Sequence, residues 1–359
     1  MKLIHCADIH LDSPLSKFSS DLAKQRRAEI LATFRRMIDY ADANGVETVL
    51  IAGDLFDSAK QIRKRTKSLV REVIEKYPDL QFYYLSGNHD GDTLLYDEEN
   101  PAPDNFHTFG NRWKTYRVGE VTVTASERPN ADTLSLDPAD INIVMLHGQI
   151  SETANVSKKD DVPLIPLRAY AKKNVDYLAL GHIHFYQQNK VDERCVACYC
   201  GCLEGRGFDE CGEKGFLLLE TTPDRRVEQR FIPFASRTLH EVNLDISGCT
   251  TQDELERRTD EAVADISSDD LVKLTVVGAR DPEFNPEYRW IEEKLNERFL
   301  YAKCKDDATL LIRPEDYLND ISLKGEFIRR VMASDLSPAD RDRVISNGLR
   351  ALWGEELDL

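Results

Sequence analysis

A chain of 359 residues is long enough for a full-sized catalytic domain with one or two smaller units. Hydrophobic residues at 41% and charged residues at 31% fit a soluble globular protein, and no apolar stretch approaches the length of a membrane span. A net charge of −17 argues against nonspecific nucleic-acid binding by the whole surface, but it leaves room for a local basic groove or for metal ions that reverse the field at a site.

The opening "MKLIHCADIH" reaches a histidine and an aspartate too early for a signal peptide and reads as a first strand. The expected compartment is therefore the cytoplasm, with reduced thiols. Next, "KQRRAEILATFRRMIDYADANG" reads as a helix closing at Gly45, and "VETVLIAGD" as a strand. "KRTKSLVREVIEKYP" reads as a second helix ended by Pro78, followed by the strand "QFYYLSGNHD". Three more apolar runs, "EVTVTA", "INIVMLHG" and "VDYLALGHIH", deliver polar residues at their C-terminal ends, while "GFLLLETT" and "VEQRFIPF" read as closing strands. This order predicts an α/β fold with chemistry at strand ends.

From residue 236 the texture changes. "HEVNLDIS", "DLVKLTVVGA" and "ATLLIRP" read as strands, and "TQDELERRTDEAVADI" and "EYRWIEEKLNERF" as helices, predicting a small βαβαβ unit. From residue 322 two amphipathic helices are expected on either side of "SDLSPAD", with Ser337 capping the second. Val344, Ile345, Leu349, Leu352 and Trp353 repeat at helical spacing, as a docking face or as packing against their own domain.

Eight cysteines lie at 6, 195, 198, 200, 202, 211, 249 and 304. Cys195 and Cys198 have zinc-ligand spacing, with Cys200, Cys202 and Cys211 nearby. Cys198, Cys200 and Cys202 also alternate along a strand, which makes small packed thiols the competing reading.

The strand tips carry the chemistry. In order they present Asp8 and His10 in "ADIHLDSPL", Asp54 in "GDLFD", Asn88 and His89 in "SGNHD", His147 in "MLHG", and His182 and His184 in "GHIH". Five of the eight histidines fall in these tips; His5, His107 and His240 lie outside them. Most tips are flanked by glycine, where backbone must approach a ligand closely. Oxygen and nitrogen donors without cysteine suit Mn, Fe or Zn rather than calcium.

The series D-x-H, GD-x-x-D, GNHD, H-G and GH-x-H resembles the calcineurin-like metallophosphoesterase superfamily. The resemblance implies a four-layer αββα sandwich and a dinuclear metal site. Asp54 would bridge the ions, with Asp8, His10 and His184 on one and Asn88, His147 and His182 on the other. Two divalent ions against two carboxylates leave such a site at about +2, which draws in a phosphodiester. His89 would be the catalytic acid that protonates the leaving oxygen.

"IHCADIHLDSPL", "GDLFD", "SGNHD" and "YCGCLEGRGFDECGEKGFLLLE" are similar to the SbcD-type DNA repair exonucleases, especially the YhaO-like branch. That branch implies Mn as the metal, DNA ends as substrate, a small capping domain, a homodimer and a coiled-coil ATPase partner of SbcC type. The implied layout is a catalytic domain over 1–235, a capping domain over 236–321 and a helical segment over 322–359 that docks the ATPase. With no G-x-x-x-x-G-K-[ST] in the chain, an ATP-driven step would come from that partner. Lys60, Arg63, Lys64, Arg65 and Lys67, just after Asp57, would hold phosphates or form a solvated helix start. Asp57 stands where some nucleases of this group have histidine. The rival readings are a phosphatase or small-molecule phosphodiesterase on the same scaffold, which the acidic balance favours, and a metal-containing but inactive scaffold subunit.

Overall fold

The apolar runs before residue 240 become two six-stranded mixed sheets. The computed structural model describes residues 1–58, 62–90, 95–97, 100–152, 162–281, 284–311, 313, 317 and 319–352. These fall into two compact units, Met1–Leu239 and His240–Leu359. With strands numbered in chain order, the first sheet runs β14 (Val227–Pro233), β13 (Gly215–Thr221), β1 (Lys2–Cys6), β2 (Thr48–Ala52), β3 (Gln81–Leu85), β4 (Phe106–Thr108). Strands β1 to β4 are parallel, and β13 and β14 close the sheet antiparallel. The second sheet runs β11 (Gln187–Lys190), β12 (Val196–Tyr199), β10 (Tyr177–Gly181), β7 (Ile141–His147), β6 (Val121–Ala125), β5 (Lys114–Val118). Its four inner strands are parallel and its two edges antiparallel. A short pair, β8 (Gln149–Ile150) and β9 (Leu164–Ile165), lies outside both.

Alternation along the strands sorts the core. On β1 and β2, Leu3, Leu50 and Ala52 join one cluster, while Ile4, Cys6, Val49 and Ile51 join another. The first cluster also takes Ile141, Ile143, Met145, Tyr177 and Ala179 from the second sheet, so one core is shared by both sheets. The other cluster holds Ile30, Phe34, Met37 and Ile38 of α1 (Ser20–Ala43) and Val70, Val73 and Ile74 of α2 (Lys64–Lys76). Val144, Leu146, Leu178 and Leu180 fill a third cluster on the remaining face of the second sheet. Burial on both faces explains why these strands read as continuous apolar runs.

Helix α1 stops where the sequence predicts: Gly45 has φ +65° and the Val46 amide donates to Ala41 O at 2.9 Å. Cys195 packs in the third cluster and Cys198 in the shared one, so the pair with zinc-ligand spacing faces opposite sides of its sheet.

The second unit builds a three-stranded sheet from β15 (Leu239–Asp245), β16 (Leu271–Val277) and β18 (Tyr301–Asp306), with α3 (Gln252–Ala262) and α4 (Tyr288–Arg298). Here one expectation is corrected. The third strand is "YAKCKD", not "ATLLIRP"; among the described residues of the latter, β19 (Thr309–Leu310) pairs with β17 (Ala279–Arg280). Strand β18 is an edge that buries Ala302 and exposes Lys303 and Lys305, so its apolar signal is weak. The polar edges β5 and β11 escape sequence reading for the same reason.

The tail forms α5 (Leu323–Met332) and α6 (Pro338–Leu352). Ser337 Oγ accepts the Asp340 amide at 3.2 Å, as a cap should. The stripe on α6 splits: Ile345 and Leu349 pack with Ile328 and Val331 of α5, whereas Val344 and Leu352 stay exposed. Trp353 lies outside the described residues. Among the described residues no helix is long and apolar enough to cross a membrane.

Phe34 is fully buried between α1 and the first sheet. We expect Phe34→Ala to cost about 3–5 kcal/mol through the cavity it leaves. A urea unfolding curve with an unchanged midpoint would contradict this packing.

Candidate metal centre

Every candidate ligand sits at or just past the C-terminal end of a parallel strand. Asp8 and His10 follow β1, Asp54 follows β2, Asn88 follows β3, His147 ends β7, and His182 and His184 follow β10. The two sheets meet at these ends. Both carboxylate oxygens of Asp8 accept the His182 amide, at 2.9 and 3.0 Å. His147 Nδ1 donates to Ala52 O at 2.9 Å. The loops after β1 and β2 are joined by Asp8 N–H to Gly53 O at 3.1 Å and His10 N–H to Asp54 O at 3.0 Å.

Bringing side chains from two sheets to one point bends the backbone out of its usual range. Asp8, His10 and Asp54 have φ of 51°, 49° and 51°, and His182 has 102°. Asp and His tolerate the left-handed region better than most residues, and such conformations gather at functional sites. The flanking glycines make the approach possible. A Cβ on Gly53, itself at φ +97°, would lie 2.1 Å from His147 Nδ1; one on Gly87 would lie 2.2 Å from Asp54 Oδ1; one on Gly181 would lie 1.9 Å from Ala52 O.

The donor atoms converge in two overlapping sets. Asp8, His10 and His184 offer ligand atoms all within 4.8 Å of one another, and so do Asp8, Asp54 and His147. Asp54 Oδ2 stands 3.3 Å from His147 Nε2 and 3.8 Å from His10 Nε2, between the two. Asn88 Oδ1 is 3.0 Å from His147 Nε2. His182 belongs to neither set; it is tied in by its amide, and its ring centroid lies 5.6 Å from that of His147. His89 is exposed, its amide donating to Asp54 Oδ1 at 2.9 Å and its Nδ1 lying 2.8 Å from Asp57 O.

These residues fit a divalent cation. His184 Nδ1 lies 2.7 Å from Glu210 Oε1, and His10 Nδ1 lies 3.4 Å from Asp57 Oδ1. A carboxylate only accepts, so the His184 ring proton is assigned to Nδ1 in favour of Glu210 at 2.7 Å over the Arg206 Nη2 contact at 3.1 Å, and the nearby Asp57 carboxylate assigns the same tautomer to His10, whose Nδ1 makes no hydrogen bond. That leaves the His10 and His184 Nε2 lone pairs facing each other across 3.2 Å, an arrangement a cation satisfies. The charges agree. Burial pushes the Asp54 carboxyl up, but the imidazoles of His147 and His10 outweigh it and hold it well below the usual carboxylate range. Burial alone would lower His147, yet the Asp54 carboxylate raises it to about 9, so the pocket draws positive charge inward. Asp8, by contrast, is pushed up to about 6 by burial, against the pull of His184 and His147.

Three residues of this centre were not identified from sequence. Asp90 accepts the amides of Leu55, Phe56 and Gly87 at 3.3, 2.8 and 2.9 Å, and so ties the Asp54 loop to the Asn88 loop. Arg206 and Glu210 stand behind His184. Asp90 was visible inside "GNHD"; the other two had no periodic signal to mark them.

Gly53→Ala should displace His147 and cost more than about 1 kcal/mol from backbone strain alone. Divalent-metal content after equilibrium dialysis and the melting temperature should both fall. A variant that keeps both at wild-type levels would refute the close approach.

Comparison with known proteins follows the same residues. The family model for calcineurin-like phosphoesterases matches residues 1–186. The uncharacterized metallophosphoesterase YhaO of Bacillus subtilis is 30% identical over 245 residues, covering 62% of this chain and 58% of that protein. The DNA double-strand break repair protein Mre11 of Methanopyrus kandleri is 27% identical, covering 72% of this chain and 62% of that one. The SbcCD nuclease subunit of Escherichia coli is 23% identical, covering 99% of each. The chain thus spans about six tenths of the length of the first two relatives. With a match across more than half its length, carried through the strand tips that converge in the structure, the chain belongs to the calcineurin-like phosphoesterase family.

Proposed function

We propose that this chain is a two-metal phosphodiesterase that acts on DNA ends with Mn²⁺. The observation that carries the reading is the convergence of carboxylate and imidazole donors in two overlapping sets with Asp8 in common. Asp8, His10, Asp54, Asn88, His147, His182 and His184 would hold the ions, with Asp54 between them. When bound, two divalent ions supply Lewis-acid charge stabilisation for in-line displacement at phosphorus. His89 is reachable by substrate, and with Nδ1 directed at Asp57 O its Nε2 is left to protonate the departing oxygen. The similarity to Mre11 and to the SbcCD nuclease supports DNA as substrate, though at identities near a quarter.

In this reading, residues 1–235 form a four-layer αββα catalytic domain, 236–321 a capping domain, and 322–359 a docking element for a coiled-coil ATPase of SbcC type, within a homodimer. The exposed Val344 and Leu352 on α6 support docking. Arg63, Lys64 and Arg65 are exposed at the start of α2 and would meet backbone phosphates; Lys60 lies outside the described residues. The net charge of −17 favours the second reading, a phosphatase or small-molecule phosphodiesterase on the same scaffold.

The test uses purified chain, Mn²⁺ and end-labelled linear duplex, beside a chromogenic phosphodiester. Metal-dependent shortening of the duplex is expected; cleavage of the small ester alone would favour the second reading. His89→Ala should keep its metal and lose about 10²–10⁴-fold in turnover. His184→Ala should lose metal, and a full complement in that variant would remove it from the ligand set.

A further inference from the structure

Behind the two facing histidines lies a group with no part in the chemistry described so far. Arg206 Nη1 donates to Asp57 Oδ1 at 2.7 Å, and its Nη2 donates to Glu210 Oε1 at 2.8 Å. Its Nε lies 3.2 Å from Glu210 Oε1, its own amide donates to Glu210 Oε2 at 2.7 Å, and its Nη2 also lies 3.1 Å from His184 Nδ1, farther than the Glu210 carboxylate at 2.7 Å. One guanidinium therefore spans the two carboxylates that face His10 Nδ1 and His184 Nδ1. The side chain is 18% exposed and Glu210 7%, so these charges interact with little screening by water.

The arrangement has a mechanical and an electrostatic side. Asp57 and His10 belong to the loops after β2 and β1, while His184 follows β10 of the other sheet. Arg206 thus fastens the two sheets from behind the metal centre. Two carboxylates this close to a cation would compete to become direct ligands, or would turn away and release the imidazoles. A guanidinium is permanently charged, and its planar fork can hold two carboxylates at once; a lysine is a single flexible point charge.

We propose that Arg206 is a positioning residue for the His10 and His184 half of the metal centre: it keeps Asp57 and Glu210 as outer partners, which fixes both imidazoles as Nε2 donors to a divalent cation. The proposal rests on the two-metal reading. Outer partners of metal-ligating histidines are worth about 10–100-fold in metal affinity, enough to separate the two halves of the site.

The experiment measures Mn²⁺ stoichiometry of the full chain by equilibrium dialysis, with the electron paramagnetic resonance spectrum as a signature of a coupled pair. Wild type should bind two ions with a coupled spectrum. Arg206→Gln should weaken one ion about 10–100-fold and leave an uncoupled single-ion spectrum. Arg206→Lys keeps the charge without the fork and should weaken the same ion less, so it carries the test if Arg206→Gln melts. Arg206→Gln combined with Glu210→Gln removes the unpaired carboxylate while keeping an acceptor for His184, and should recover part of the affinity. Two tightly bound, coupled ions in the single variants would overturn the role of Arg206 and leave the two-metal reading standing. Equal loss of both ions with no recovery in the double variant would also overturn it, as a general structural defect. A wild-type chain that binds no Mn²⁺ would overturn the two-metal reading and the proposal together.

Discussion

The structure turns on the junction where two sheets touch at the ends of their strands. The Asp8 carboxylate takes the His182 amide, His147 reaches the Ala52 carbonyl, and Gly181 sits against that carbonyl with no room for a methyl group. The shared apolar core brings the sheets face to face, but it is non-directional and cannot set their register to within an ångström. The polar contacts at the tips can, since a buried donor or acceptor left unmatched costs about 1–3 kcal/mol. Helices on one side, and the third cluster on the other, cover the outer faces.

The same junction concentrates charge. Asp8 and Asp54 are buried, as are His10 and His147. Burying carboxylates is costly unless positive charge follows, and the site answers with imidazoles around Asp54 and a guanidinium around Asp57 and Glu210. With two divalent ions bound, the carboxylates of Asp8, Asp54, Asp57, Asp90 and Glu210 and the Arg206 guanidinium would bring the centre to about neutral, so that a chain with a net charge of −17 would meet a phosphate there without the repulsion of its surface.

Much of this was legible in the sequence because two signals coincide at each tip. A strand buried on both faces reads as an unbroken apolar run, and a polar residue straight after it, beside glycine, marks where the run stops and chemistry begins. That is how Asp54, His147 and His184 stand out. The edge strands β5, β11 and β18 do not, since one of their faces is wet and their composition resembles a loop. Arg206 escapes for another reason: its partner Asp57 is 149 positions away, and no local pattern encodes a contact that only the meeting of two sheets creates. The stripe on α6 was visible as a period, but which of its members face inward depends on α5.

The left-handed backbone at Asp8, His10 and Asp54 bears on how this chain can evolve. A longer acid such as Glu offers the same carboxylate but is less at ease in that conformation, so exchange between the two acids is closed at these positions by backbone as well as by reach. Asn shares the conformational tolerance and nearly the shape, and at Asp8, whose carboxyl burial pushes up, the exchange also relieves buried negative charge. The easiest drift from this centre is therefore toward a chain that folds as before and has exchanged its metal for neutral amides. In this fold an inert descendant is one nucleotide change per aspartate away, and stability opposes that change more at Asp54, whose carboxylate the imidazoles stabilise, than at Asp8, whose carboxyl burial pushes up.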